Sequence, residues 1–169
     1  YVNQCEVYNW DVRKLRNRIK SNEYERLPAN TRTKLKIKTE ANIIDFIKNP
    51  INITNSKNKE IVSEKILQKL ILEDIPSFLE ELGDGFTFMK NEYKIRIDDR
   101  YNYIDLLLYN IKYKCYVVVE LKVTELKKEH IGQVMTYMNY IDKNIKTVEE
   151  NKTVGIIICK QDNVYIIKY

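Results

Sequence analysis

The sequence predicts an α/β fold, a central mixed β-sheet flanked by helices, with elements in the order α-βββ-α-ββ. Three observations carry this. Three β-rich runs lie close together between Phe86 and Val123, too near one another for helical crossovers. An apolar stripe at helical spacing follows, made of Ile131, Val134, Met135, Met138, Ile141 and Ile145. Two more β-rich runs, Thr153–Cys159 and Val164–Tyr169, then close the chain.

In chain order, Trp10 to Ser21 reads as a short helix with Trp10, Val12, Leu15 and Ile19 as its apolar set. Pro28 and the Asn/Thr-rich stretch after it break that helix. Ile37 to Ile47 keeps weak helical periodicity, and Asn49 to Asn58 is the best linker candidate. Ser63 stands at a helix N-cap position, ahead of Ile66, Leu67, Leu70, Ile71, Phe78, Leu79 and Leu82 at helical spacing. Pro76 interrupts or restarts this run, and Gly83 and Gly85 end it. The strands are Phe86–Ile97, Tyr101–Asn110 and Lys114–Val123, an antiparallel meander. Val117–Val119 and Ile156–Ile158 lack polar alternation, so their strands are central and covered on both faces. Gln161-Asp162-Asn163 forms the final turn.

Length and composition narrow the function. The chain has 169 residues, 44% of them hydrophobic and 31% charged, which is globular. That length suits one domain, or one domain with an appendage, and supports a core without staples. We divide it into a basic helical segment, 1–50, and a main domain, 60–169. Beginning at Tyr1, it reads as a fragment or a processed chain. No apolar run approaches the roughly 20 residues that cross a bilayer, and the start is polar and basic, unlike a signal peptide. Three dispersed cysteines, Cys5, Cys115 and Cys159, and one histidine, His130, exclude zinc fingers and His-rich cages. They suit a reducing compartment, hence a cytoplasmic protein. Any metal ligands would be carboxylates and the metal hard, Mg²⁺ or Mn²⁺.

Charge is segregated. Residues 1–60 carry 13 basic and 7 acidic side chains, a net +6, whereas 61–169 carry 16 and 17, a net −1. Between Asp11 and Lys38 lie Arg13, Lys14, Arg16, Arg18, Lys20, Arg26, Arg32, Lys34, Lys36 and Lys38, against three acids. Such a block attracts polyanions by counterion release. A solvated helix face is the alternative.

The anomalies that carry chemistry sit in the strands. Glu120 and Lys122 interrupt the apolar run Tyr116–Val123 and, two apart, project from one face with Val118. Asp105 interrupts Ile104–Leu108, on the face of Tyr103, Leu107 and Tyr109. Neighbouring strands can bring Asp105 beside Glu120, and two adjacent carboxylates repel unless a cation lies between them. The arrangement implies a divalent metal with Lys122 nearby. Its alternative is an interior salt bridge that fixes strand register.

Asp105 followed 15 residues later by Glu120-Leu121-Lys122 resembles the D…(D/E)xK signature of the PD-(D/E)XK nuclease superfamily, whose restriction-endonuclease-like core has the same αβββαβ order. The stretches FLEELGDGFTF (78–88), YIDLL (103–107), CYVVVELK (115–122), GQVMTY (132–137) and GIIIC (155–159) resemble the YhcG family of bacterial nuclease-domain proteins. WDVRKLRNRIKSNEYERL (10–27) resembles the end of that family's N-terminal, DNA-binding-like domain.

The resemblance implies a Mg-dependent endonuclease acting on DNA. Asp105, Glu120 and the Leu121 backbone carbonyl would hold Mg²⁺ or Mn²⁺. Lys122 would orient the attacking water and stabilise phosphorane charge, and Gln133 would complete the catalytic set. Some superfamily members add a glutamate from the first core helix, for which Glu64, Glu73 and Glu81 are candidates. Arg13, Lys14, Arg16, Arg18, Lys20 and Tyr137 would contact nucleic acid, with a homodimer left open. A complete N-terminal domain of the family would be longer than residues 1–50, which puts full DNA docking by this chain in question. His130 matches no catalytic role and reads as a surface residue. Tyr93, Tyr101, Tyr103 and Tyr109 could stack on bases, although strand aromatics are more often core or cross-strand partners. The rival readings are a non-catalytic nucleic-acid-binding or assembly module on a nuclease fold, and an RNA-directed nuclease.

Overall fold

A computed structural model of the chain describes residues 10–37, 42–56, 58–161 and 164–168. Cys5, Lys38 and the turn residues Asp162 and Asn163 lie outside them. The chain forms two compact units, divided between Asn49 and Pro50.

In the first unit, α1 (Val12–Lys20) is capped by Asp11, whose side chain accepts from the Lys14 amide at 2.7 Å. A one-turn α2 (Glu23–Arg26) and a longer α3 (Ala29–Ile37) follow. The sequence predicts a break at Pro28. Pro28 does part α2 from α3, but the Asn/Thr-rich stretch after it is helical, and the Pro28 carbonyl accepts the first bond of α3, from the Arg32 amide at 3.1 Å. Proline lacks a donor that a helix start does not need, so here it opens a helix. The expected apolar set of α1 is also turned around. Val12 and Ile19 are exposed, whereas Arg18 is buried, ion-paired with Glu23 at 2.6 Å and stacked on the Trp10 ring at 3.9 Å.

The second unit begins inside the expected linker. Ile51 is buried and its amide donates to the Tyr165 carbonyl at 2.9 Å, so this stretch is held rather than free. Ser63 caps α4 (Glu64–Glu73), and Asp74 then caps α5 (Ile75–Leu82), with Pro76 in its first turn. The break at Asp74 divides what looks continuous in the sequence. Gly83 ends α5 at φ +123°, a conformation that disfavours any side chain.

Five strands form one sheet in the order β1-β2-β3-β4-β5: β1 (Phe86–Ile97), β2 (Arg100–Asn110), β3 (Cys115–Leu121), β4 (Val154–Gln161) and β5 (Val164–Lys168). β1, β2 and β3 are the expected antiparallel meander, β3 and β4 are parallel, and β4 and β5 antiparallel. The parallel step requires a crossover, which α6 (Lys128–Asn144) supplies. Val117, Val118, Val119, Ile156 and Ile158 are fully buried, as their lack of alternation predicts.

α6 packs on β3 and β4. Its buried stripe is Val134, Tyr137 and Ile141, while Ile131 and Met135 of the expected stripe are exposed. The close approach needs Gly155 beneath it, where a Cβ would sit 2.4 Å from Val134 Cγ1 and 2.6 Å from Met138 Sδ. α4 lies against β3 and α5 against β1.

Candidate active site

The site forms where the central strands end. The last register pair of this ladder is Leu106 with Val119, and Asp105 and Glu120 are the next residues along the two strands. The Asp105 carboxylate accepts a hydrogen bond from the Leu121 amide at 2.8 Å, tying β2 to the end of β3. Glu120 is only 2% exposed. β3 ends at Leu121, so Lys122 lies just beyond it, yet its amide still donates to the Ile158 carbonyl at 2.8 Å. That bond keeps Lys122 in line, and its ammonium lies 2.9 Å from Glu120 Oε1.

The strict alternation expected around Asp105 is interrupted. Ile104 and Leu107, three apart, belong to one buried cluster with Val118, Val134 and Tyr137. Glu92, which the register sets opposite Asp105, has φ +47°. The expectation that Tyr103, Asp105 and Leu107 share one flat face therefore does not describe this point of the hairpin.

Of the three helix glutamates, Glu64 comes to the cluster, its Oε1 lying 3.6 Å from Lys122 Nζ at the start of α4. Glu73 pairs with Lys59 at 2.9 Å, and Glu81 accepts from the Asn52 amide at 2.9 Å. From α6, the Gln133 amide donates to the Tyr137 hydroxyl at 2.8 Å. Tyr137 is buried, with the charges of Glu120, Asp105 and Lys122 acting on it. His130 holds the start of α6, its Nδ1 accepting from the Lys127 amide at 3.2 Å.

One contributor is absent from the sequence-based expectations. Gln68 of α4 is buried and donates to the Asp105 backbone carbonyl at 3.0 Å, fixing the strand that carries the acid. Its signal in the sequence is a lone amide inside the apolar run Ile66–Ile71.

The electrostatics are those of crowded acids with limited access to water. Burial pushes the Glu120 carboxyl up and Asp105 adds to it, outweighing Lys122, so that it reaches about 7. Burial likewise raises Asp105, against the opposing Leu121 hydrogen bond and Lys122 charge. Burial alone would lower Lys122, but its hydrogen bond to Glu120 and the acids around it push it up, so it stays an ammonium. Glu120 Oε2 is buried without a hydrogen-bond partner. Among the described residues, no three His, Cys, Asp or Glu side chains converge to cage a metal by themselves.

Residues 44–169 match the family described as the YhcG PDDEXK nuclease domain. The chain belongs to that family. The matched stretch includes the two strand acids, the lysine and the following helix described above. The family match begins at residue 44, ahead of the boundary at 60 that the sequence suggested. The chain is also similar to the YhcG protein of Escherichia coli (strain K12), at 27% identity over 158 residues, covering 90% of this chain. It spans 42% of that relative's length. No solved structure gives a significant match.

In the basic segment, Arg13, Arg16 and Lys20 are exposed and line one open groove with Val12, Asn17 and Ile19. Arg18 is taken up by Glu23 and Trp10, and Lys14 is half-buried with its ammonium 5.9 Å from the Trp10 ring centroid. Among the described residues, no helix is long and apolar enough to cross a membrane.

Proposed function

We propose that this domain is a metal-dependent endonuclease that hydrolyses phosphodiester bonds of DNA. One observation carries the reading: Glu120 Oε2 is buried and unpartnered beside a second, half-buried acid, Asp105. A carboxylate oxygen left this way is costly unless a cation accounts for it. Counting Asp105, Glu120 and Glu64 against Lys122 leaves three negative charges and one positive, a deficit that one divalent cation balances.

The donor set fits a hard cation. Asp105, Glu120 and the Leu121 carbonyl are oxygen donors, and two carboxylates with open positions suit Mg²⁺ or Mn²⁺, which take further oxygens from water and substrate phosphate. Bound there, the cation would supply Lewis-acid polarisation of the phosphate and a more acidic water.

The chain's own residues do the rest. Lys122, kept charged by its acids, stabilises the extra negative charge that develops as water adds to phosphorus and the ester oxygen leaves. Glu64, 3.6 Å from the Lys122 ammonium, helps Glu120 to hold it in place. Gln133, held by Tyr137, offers its amide at the edge of the site. Arg13, Arg16 and Lys20 hold the polyanion by phosphate contacts without reading sequence. Buried cysteine thiols in the core strands, Cys115 and Cys159, agree with a cytoplasmic setting.

The test is cleavage of supercoiled plasmid with Mg²⁺ or Mn²⁺, with EDTA and with Glu120→Ala. Nicking that requires metal and Glu120 supports the reading. Cleavage surviving both controls, or none in any metal, defeats it.

A further inference from the structure

The β1–β2 hairpin carries two tyrosines that the core does not use. Tyr101 and Tyr103 are 59% and 51% exposed. Tyr109 of the same strand instead meets Tyr116 edge-on, with ring centroids 5.3 Å apart. Burial, the usual return for a large aromatic, is absent at both exposed positions. Two apart on a strand, they share a side. Register sets Lys94 directly opposite Tyr103 and Arg96 opposite Tyr101, and the Lys94 ammonium lies over the Tyr101 ring at 3.7 Å. The Arg96 guanidinium is turned to Asp99 at 3.2 Å, whereas the Lys94 ammonium stays with the Tyr101 ring. Tyr103 stands two residues from Asp105, about 7 Å along the strand.

We propose that Tyr101, Tyr103 and Lys94 bind an unpaired stretch of the nucleic-acid strand that enters the site at Asp105, which makes the substrate a nucleic acid with a single-stranded region. This deepens the nuclease reading and rests on it for the strand's presence at Asp105. Inside a duplex, base faces are already stacked on their neighbours. Only an overhang, a flap or a melted segment offers a face to a tyrosine ring. Exposed rings with an ammonium beside them meet the two repeating features of such a strand, the base and the phosphate. Stacking tolerates any base, so the patch selects strandedness rather than sequence.

The experiment measures binding with cleavage switched off. In EDTA, anisotropy of a fluorescein-labelled oligothymidylate and of a labelled blunt duplex is compared among wild type, a Tyr101→Ala/Tyr103→Ala protein and a Tyr101→Phe/Tyr103→Phe protein. The alanine pair should bind the single strand roughly 10-fold or more weaker, since stacking on each ring is worth about one decade. It should bind the duplex nearly as wild type, and the phenylalanine pair should keep single-strand affinity. Both variants should melt as wild type, because neither ring is buried. Unchanged single-strand affinity, equal loss on duplex, or equal loss in the phenylalanine pair overturns the proposal. So does sedimentation showing that the alanine pair breaks a dimer without touching single-strand binding, which would make the patch an interface between copies. Tyrosine-dependent single-strand binding by a protein that cleaves nothing in any metal would sink the nuclease reading and leave this patch standing.

Discussion

Lys122 Nζ lies 2.9 Å from Glu120 Oε1 in a site where Glu120 is almost completely buried. An ammonium and a carboxylate this close answer each other's charge, but Asp105 and Glu64 remain. The cluster is therefore stable only with protons or a cation added.

Metal should stabilise the fold measurably. A ligand that binds only the native state at ten times its Kd adds about 1.4 kcal/mol. Millimolar Mg²⁺ or Mn²⁺ should raise Tm, and Asp105→Asn should reduce the rise. Superimposable melting curves with and without metal, and no heat of binding by calorimetry, would leave the site without a metal.

Gly155 should resist even one methyl group. In Gly155→Ala the new Cβ meets Val134 Cγ1 and Met138 Sδ well inside van der Waals distance. Urea unfolding should show a loss of about 1–3 kcal/mol, the range for overpacked cores. Adding Val134→Ala should recover part of it; an undiminished loss would place the strain elsewhere.

The basic segment should divide into two kinds of arginine. Neutralising Arg13, Arg16 and Lys20 should weaken DNA binding and lower the salt slope by roughly one for each phosphate no longer held. Arg18→Gln should act mainly on stability, because Arg18 is committed to Glu23 and Trp10. A salt slope indifferent to the triple variant would mean this segment does not meet the nucleic acid.

Asp45 gives a pH dependence with a definite sign. Burial pushes its carboxyl up, but hydrogen bonds from Lys34 at 2.8 Å and the Asn42 amide at 2.6 Å outweigh that and hold it below its ordinary value of 3.8. A lowered carboxyl contributes stability above its unfolded pKa and loses it as pH falls through the folded one. The stability gap between wild type and Asp45→Asn should be full at pH 6 and close in strong acid. A gap that widens on acidification would reverse the assignment.

The strands were legible because alternation, and its loss at Val117–Val119, reports burial directly. Asp105 and Glu120 were legible because each breaks an apolar run. Glu64 was not separable from Glu73 and Glu81, since helical spacing alone cannot say which helix end meets the end of β3. Arg18 looked like surface charge because its partners, Trp10 and Glu23, come from beyond both ends of α1. Helix α3 was hidden by Pro28, a residue that ends one helix and opens another by the same missing donor. Tyr137 took the place of Ile131 and Met135 because core-facing geometry, not hydrophobicity, chose the α6 stripe.

Whether the cluster works as an active site is decided by Lys122→Met, measured for cleavage, DNA affinity and Tm on one preparation with metal present. In an active site, metal compensates the acids, and Lys122 acts on charge that exists only in the transition state. The variant should then melt near wild type, bind DNA comparably, and lose cleavage by roughly 10²-fold or more. Lys122→Arg should not restore it, because a planar fork does not replace a compact ammonium. A variant that cleaves normally while losing several kcal/mol of stability, the mark of a broken buried pair, would make Asp105, Glu120 and Lys122 architecture and contradict the nuclease reading.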